Sequence, residues 1–360
     1  MGMAFLYYIA LLLFGFIAMY CLFLPQTKRF DNSKKFTFFM QPILYIYLLF
    51  VLGAIGAYYL TDNQDFIIRL SPEKVIIPLL CPIIVYFFAY IFGKKAQTIA
   101  LILCVSACIL LQPTEAKFVP FGLNEYVFKG LAVIFFSVFC LGYKILNILP
   151  HTIVIASVTM LAGVSLLSSI GGAPIYLALI AAPLIGSLLA YLGVNLHRVK
   201  IEFDDVACQV LAFMMFFVFS LDMSELSFGS CIIFTMIFWA ELTVALYNKF
   251  IAHKAETLIE NTHFFAAAQK LTLAALMSNI FKVGLICMFF GWFQLFSLNQ
   301  YSLPIVTFFV VLWLDTSMGA NLLQAPKTLK QINSEFVKDL KQNLQETKET
   351  ISQISKKKDS

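Results

Sequence analysis

The stretch GVNLHRVKIEFDDVACQVLAF, Gly193 to Phe213, sets Glu202, Asp204 and Asp205 close together at the mouth of an apolar run. Three carboxylates there demand an account, because only 12% of the 360 residues are charged and 61% are apolar. The plainest chemistry is electrostatic. Asp204 suits an N-cap, accepting from open N–H groups of the first turn, and Asp205 suits the turn itself, where the helix dipole favours an anion. A few other charges fall inside apolar runs, where each is costly and points to function: Lys129, Glu241, Lys282 and Asp315. Lys129 is placed to snorkel. Lys282 and Asp315 are placed to pair across the last two runs, as residues lining a transport path would.

These residues need elements to position them. Mean hydropathy is +0.86, and apolar runs of spanning length recur along almost the whole chain, so most of it must sit in lipid. Eleven segments stand out, at roughly 3–24, 38–60, 73–92, 96–112, 127–143, 152–169, 173–194, 206–221, 229–247, 273–297 and 301–320. Unpaired backbone groups are intolerable in hydrocarbon, so such segments are helices, and the absence of period-two alternation excludes a barrel. The expected fold class is all-α, a polytopic membrane protein of about eleven transmembrane helices. The first segment lacks a basic flank and a cleavage site, and is read as a retained helix. The eight cysteines (21, 81, 104, 108, 140, 208, 231 and 287) lie in apolar segments without any CxxC spacing, and read as small hydrophobes.

Basic residues alternate from loop to loop, and Lys/Arg excess marks the cytoplasmic side. Lys28 to Lys35, Lys94 and Lys95, Lys144, Arg198 and Lys200, and Lys249 to Lys270 all fall on one side, as does the lysine-rich C-terminal tail. The opposite loops hold Arg69, Lys74 and Lys117 with several acids. The N-terminus is therefore expected outside and the C-terminus in the cytoplasm. All four histidines (His151, His197, His253, His263) and the Glu202/Asp204/Asp205 cluster then face the cytoplasm. The chain divides into a transmembrane domain, 1–325, and a tail, 326–360, with apolar residues at helical spacing among Lys, Glu and Gln. Such a helix suits anionic lipid or a partner protein. No nucleic-acid motif or nucleotide-phosphate loop is present.

The residues from Leu184 to Phe213 resemble a motif of the polyprenyl-phosphate N-acetylhexosamine-1-phosphate transferase superfamily, F-N-x-x-P-A-K-I-F-M-G-D-x-G-S-x-x-L-G. Asn195, Lys200, Ile201 and Asp205 keep their places, while Asp204, Ala207, Cys208 and Ala212 replace Gly, Gly, Ser and Gly. FWAELTVALYNKF followed by IENTHFF is similar to P-L-x-D-x-x-x-x-x-x-R-R-L and P-D-R-x-H-x-H-H, with Glu241, Lys249, Glu260 and His263 at the matching positions. FVPFGLNEY (Phe118 to Tyr126) and DNSKKFTFFMQP (Asp31 to Pro42) resemble two further family segments. The resemblance implies transfer of a sugar-1-phosphate from a UDP-sugar to undecaprenyl phosphate in a bacterial cytoplasmic membrane, with Mg²⁺ bridging the diphosphate. It implies Asp205 as metal ligand, Asp205 and His263 as catalytic residues, and Asn195, Lys200, Lys249 and Glu241 as substrate-binding; Lys94 and Lys95, basic residues on the same cytoplasmic side, join the substrate-binding candidates.

Phosphoryl transfer rests on positioning and charge neutralisation, so carboxylates must hold the metal against the phosphates. Here they are missing. No Asp or Glu occurs between Glu73 and Glu115, where the family has an Asp-Asp pair and this chain has Lys94 and Lys95. None occurs between Glu125 and Glu202, so NILPHTIVIAS (Asn147 to Ser157) lacks the family's second motif. The H-x-H-H loop is reduced to His263, Phe265 and Ala266. The expectation is a catalytically impaired homologue that binds a polyprenyl lipid or a partner enzyme. Two alternatives stay open: an active transferase drawing on Glu202, Asp204, Asp205, Glu241 and His263, and an unrelated membrane transporter.

Overall fold

Each apolar segment of the sequence falls on a helix of the computed structural model, which describes residues 2–33, 42–60, 72–111, 124–148, 151–169, 175–197, 203–222, 228–252, 257–269, 271–294 and 302–323. In order these are α1 (Gly2–Ser33), α2 (Pro42–Leu60), α3 (Pro72–Phe92), α4 (Lys94–Leu111), α5 (Glu125–Gly142), α6 (Thr152–Ser169), α7 (Ile175–His197), α8 (Asp205–Asp222), α9 (Phe228–Phe234) and α10 (Met236–Phe250), then a short α11 (His263–Ala268), α12 (Leu273–Gln294) and α13 (Ser302–Leu323). Two 3-10 turns, Tyr143–Leu146 and Ile259–Asn261, complete the described regular structure, and no strand occurs among the described residues. The all-α class is therefore what the sequence forms. Among the described residues, five stretches are long and apolar enough to cross a membrane: Ala4–Leu24, Lys94–Leu111, Glu125–Leu146, Ile175–Leu196 and Leu273–Gln294. The chain divides into two units, Met1–Asp315 and Thr316–Ser360. Of the second, only residues 316–323 are described. The basic tail lies outside the described residues, as does the Asp315 side chain, so the expected pairing with Lys282 goes without a structural account.

Two local features differ from the expected segments. Helix α1 runs on past residue 24 into polar sequence as far as Ser33, since adding a residue to an existing helix is far easier than nucleating one. The ninth segment is interrupted at Thr235, whose hydroxyl donates to Cys231 O (2.8 Å) and Ile232 O (3.2 Å). Such back-bonding by Thr bends a helix. Lys129 reaches back toward the start of its helix, where it meets Glu125 one turn earlier at 2.8 Å.

The core of the first unit is α7, which packs against α1, α2 and α6. Apolar side chains gain little by exchanging lipid for protein, so close van der Waals approach has to hold such helices together. Glycines provide it. A Cβ at Gly186 would strike the α1 backbone at Leu12 and Phe16, one at Gly15 would strike the Pro183 backbone, and one at Gly53 of α2 would meet the Pro183 ring. Ser187 adds a hydrogen bond to Pro183 O at 2.7 Å and a longer one to Gly15 O at 3.4 Å.

Helix α8, apolar and buried from Ala207 to Ser220, is enclosed by α3, α4 and α5. Phe136 of α5 packs on Phe216 of α8 with ring centroids 4.8 Å apart. Outward faces carry apolar residues such as Ile76, Leu80, Phe87 and Ile91 of α3, and Ile99, Leu103 and Leu110 of α4. Contiguous apolar exposure of this kind fits hydrocarbon rather than water.

The α3–α4 connection is a single residue. Gly93 has φ 81°, a left-handed conformation that a side chain disfavours. Its N–H donates to Ala89 O and its carbonyl accepts from Gln97 N–H, both at 3.1 Å. Lys94 and Lys95, expected in a loop, therefore lie in the first turn of α4.

Candidate functional site

The start of α8 is built first. Asp204 caps it, accepting from Ala207 N–H at 2.7 Å, while its carbonyl accepts the Cys208 N–H at 3.0 Å. The preceding Phe203 is buried and stacks on Tyr191 of α7, centroids 4.6 Å apart. Asn147 Nδ2 donates to Phe203 O at 2.7 Å. The helix start is thus fixed from both sides.

Two lysines close on Asp205. Lys94 reaches Oδ2 at 3.1 Å from the first turn of α4, and Lys144 reaches the same oxygen at 3.4 Å from the 3-10 turn Tyr143–Leu146. That turn is anchored by Tyr143, whose buried hydroxyl shares a 2.7 Å hydrogen bond with Ser157 Oγ and lies 3.2 Å from the Met215 sulfur. Thr152 Oγ1 donates to Leu146 O at 2.6 Å. Asp205 stands just before the apolar run 206–221. Partial burial pushes its pKa up, but the Lys94 hydrogen bond and the charges of Lys144 and Lys94 outweigh this and leave it lowered. A carboxyl depressed on folding stabilises the fold above its unfolded pKa, and that contribution is lost as pH falls through the folded value. The contribution is small. The side chains of Lys94 and Asp205 are 82% and 41% exposed, and a solvent-screened pair is worth about 0–1 kcal/mol.

One turn further in, Gln97 Nε2 donates to Gln209 Oε1 at 2.6 Å in a buried bond between α4 and α8. No lysine or carboxylate takes part in it, and it specifies which faces of the two helices meet. Gln97→Leu alone is expected to destabilise more than the Gln97→Leu/Gln209→Leu pair, because it orphans a buried amide, with a coupling of about 1 kcal/mol. A double-mutant cycle of melting temperatures in detergent checks this; additive losses would mean that the amides do not act together.

A second cluster lies on α10 and the segment after it. Glu241 is fully buried. Its Oε2 accepts the Phe264 N–H at 3.4 Å, and its Oε1 is 3.8 Å from His263 Nδ1. Two turns along α10, Asn248 Nδ2 donates to Asn261 O at 2.9 Å. Thr262 caps α11 by accepting from Phe265 N–H at 3.1 Å, and Asn261 Nδ2 donates to Thr257 O at 2.6 Å. Glu241 and Asn248 thus hold the segment 257–268 against α10. The turn bearing Lys144 packs on α8, on α10 and on Ile259–Asn261, so both clusters share one end of the first unit.

The other sequence-derived candidates are placed as follows. Asn195 is buried near the end of α7. Lys95 is exposed beside Lys94. Lys249 lies in the last turn of α10 with its ammonium 5.7 Å from the Phe250 ring centroid. Lys200, Glu202 and His253 lie outside the described residues, and His151 is buried ahead of α6. Sequence reading counted Lys144 only as a loop charge. Its partner is 61 positions away, and nothing local signals such a pairing.

The residues do not fit a magnesium ion. Mg²⁺ asks for oxygen ligands in octahedral array, usually one or two carboxylates with phosphates and water. At Asp205 the nearest charged groups are two ammoniums, and among the described residues no three His, Cys, Asp or Glu side chains come together to hold an ion. The arrangement can neutralise an anion, and it ties three elements together through one carboxylate. The sequence matches no protein-family model and none of the curated proteins.

Proposed function

We propose that this protein is a divergent relative of the polyprenyl-phosphate N-acetylhexosamine-1-phosphate transferases. It spans a bacterial cytoplasmic membrane about eleven times with its N-terminus outside. It has lost the transfer chemistry and keeps a cytoplasmic place for a polyprenyl phosphate, a UDP-sugar or a partner enzyme. The observation that carries this reading is the environment of Asp205. The one family metal-ligand position this sequence retains is occupied by a carboxylate engaged by Lys94 and Lys144. A lysine at position 94 reverses the charge that a cation would need, and it provides an ammonium suited to phosphate as a point charge. The four site elements, the starts of α4 and α8, the turn at Lys144 and the segment after α10, gather at one end, which the alternating loop charge assigns to the cytoplasm.

The test is transfer of radiolabelled sugar-1-phosphate from UDP-GlcNAc to undecaprenyl phosphate by the purified protein, with Mg²⁺ or Mn²⁺, beside Asp205→Asn. The expected result is no turnover by either protein, together with binding of undecaprenyl phosphate that weakens in Lys94→Ala. Turnover that Asp205→Asn abolishes would restore the active-transferase reading. Absence of both turnover and lipid binding would leave the transporter reading.

A further inference from the structure

The α3–α4 hairpin turns on Gly93 alone, so residues equally far from it in sequence lie at the same depth. Cys81 precedes Gly93 by twelve positions, and Cys104 and Cys108 follow it by eleven and fifteen. At a helical rise of about 1.5 Å per residue this level is about 18 Å from the turn, close to the middle of a hydrocarbon layer about 30 Å thick. Cys104 and Cys108 are one turn apart and share a face of α4. Cys81 of α3 meets that face: its sulfur is 4.0 Å from the sulfur of Cys108 and is hydrogen-bonded to Cys104. All three are buried, at 3%, 9% and 0% exposure for Cys81, Cys104 and Cys108. The sequence treated every cysteine as a separate small hydrophobe; the hairpin brings three of the eight together.

We propose that Cys81 and Cys108 form a two-coordinate binding site for a soft monovalent cation of the Cu(I) class, with Cys104 as a hydrogen-bonding neighbour of the Cys81 sulfur. Spacing favours an ion over a disulfide. Two collinear metal–sulfur bonds of about 2.3 Å, the arrangement a two-coordinate ion favours, span about 4.6 Å, so the sulfurs, 4.0 Å apart, have to part by about 0.6 Å, a change side-chain rotation supplies without helix movement. A disulfide, at about 2.05 Å, would have to close half of that gap. Ligand type favours copper(I). Thiolates are soft and select it, and two ligands satisfy it, whereas the divalent ions need three or four. Charge agrees as well. Binding Cu(I) to two thiols with release of one proton to water leaves a neutral unit of one thiolate, one thiol and one cation. Neutrality is what a site at this depth requires.

The experiment uses the full-length protein, reduced and in detergent under anaerobic conditions, titrated with Cu(I) against a chromogenic Cu(I) chelator. One tightly bound ion per chain is expected. Cys81→Ser and Cys108→Ser should each weaken it by about 100-fold, while Cys140→Ser, which alters a buried cysteine of α5 outside the cluster, should leave it unchanged. Unchanged binding in Cys81→Ser, or equal loss in Cys140→Ser, would overturn the assignment. Copper X-ray absorption on the unmutated protein stands apart from any folding defect of the variants. Two sulfur neighbours are expected, and a shell of nitrogen or oxygen atoms would sink the proposal.

Discussion

Gly186→Val should abolish the assembly of α1 on α7. A Cβ at this position meets backbone atoms of Leu12 and Phe16, which cannot swing aside as the tip of a side chain can. The helices must then separate along their whole contact, which includes the Gly15 approach to Pro183 and the Ser187 hydrogen bond. Overpacking commonly costs about 1–3 kcal/mol, and a clash with backbone at a helix crossing belongs to the exceptional class above about 4 kcal/mol. Size-exclusion profiles and melting curves in detergent are the readout. The comparison variant is Gly130→Ala, where the added carbon meets nothing within 4 Å and helix propensity alone predicts a gain of up to about 1 kcal/mol. A Gly186→Val protein that melts with the unmutated one would show that α1 and α7 do not approach this closely.

The second large effect is expected at Glu241. Its carboxylate is fully buried and accepts the Phe264 N–H, with His263 beside it. Truncation in Glu241→Ala removes that acceptor, leaves a cavity in α10 and releases the segment 257–268, for a cost of about 3 kcal/mol. Glu241→Gln keeps an oxygen for Phe264 and offers an amide N–H toward His263, and should cost less than half as much. Melting temperatures rank the variants, and trypsin at Lys249, Lys254 and Lys270 reports on the segment. Equal damage from Gln and Ala would mean that the negative charge matters rather than the acceptor. Glu241 would then count as a member of an ionic site and not as an anchor.

What sequence made legible divides along physical lines. Helices in lipid are dictated by local composition, so each apolar segment could be located without tertiary information; the differences lie at ends such as Ser33 and at the Thr235 break, where one hydroxyl competes with the backbone. The Asp204 cap was readable for the same reason, since a cap bonds within its own turn. Contacts between distant positions were not. Lys94 and Lys144 on Asp205, Gln97 on Gln209 and Glu241 beneath Phe264 join residues 111, 61, 112 and 23 positions apart. Only the last of these fell within a single motif. The cysteine trio lay between these limits: Gly93 is visible in the sequence, but that it alone forms the turn is a matter of its φ.

The burial of α7 bears on how the chain is made. Within an 18-residue stretch of Ile175–Leu196, 83% of the residues are buried inside the protein, against 17% for such a stretch of Ala4–Leu24. Helix α1 can therefore enter a bilayer on its own and remain there with most of its surface on lipid. The chain emerges from the ribosome in order, so α1, α2 and α6 are already present when α7 is synthesised, and α7 arrives as the piece that fills the space between them. A nascent chain stopped before residue 175 would lack the helix through which α6 meets α1 and α2, with Gly15 and Gly53 facing the gap. Completion of the central helix, rather than insertion of the first, is what brings the packed core of the first unit together.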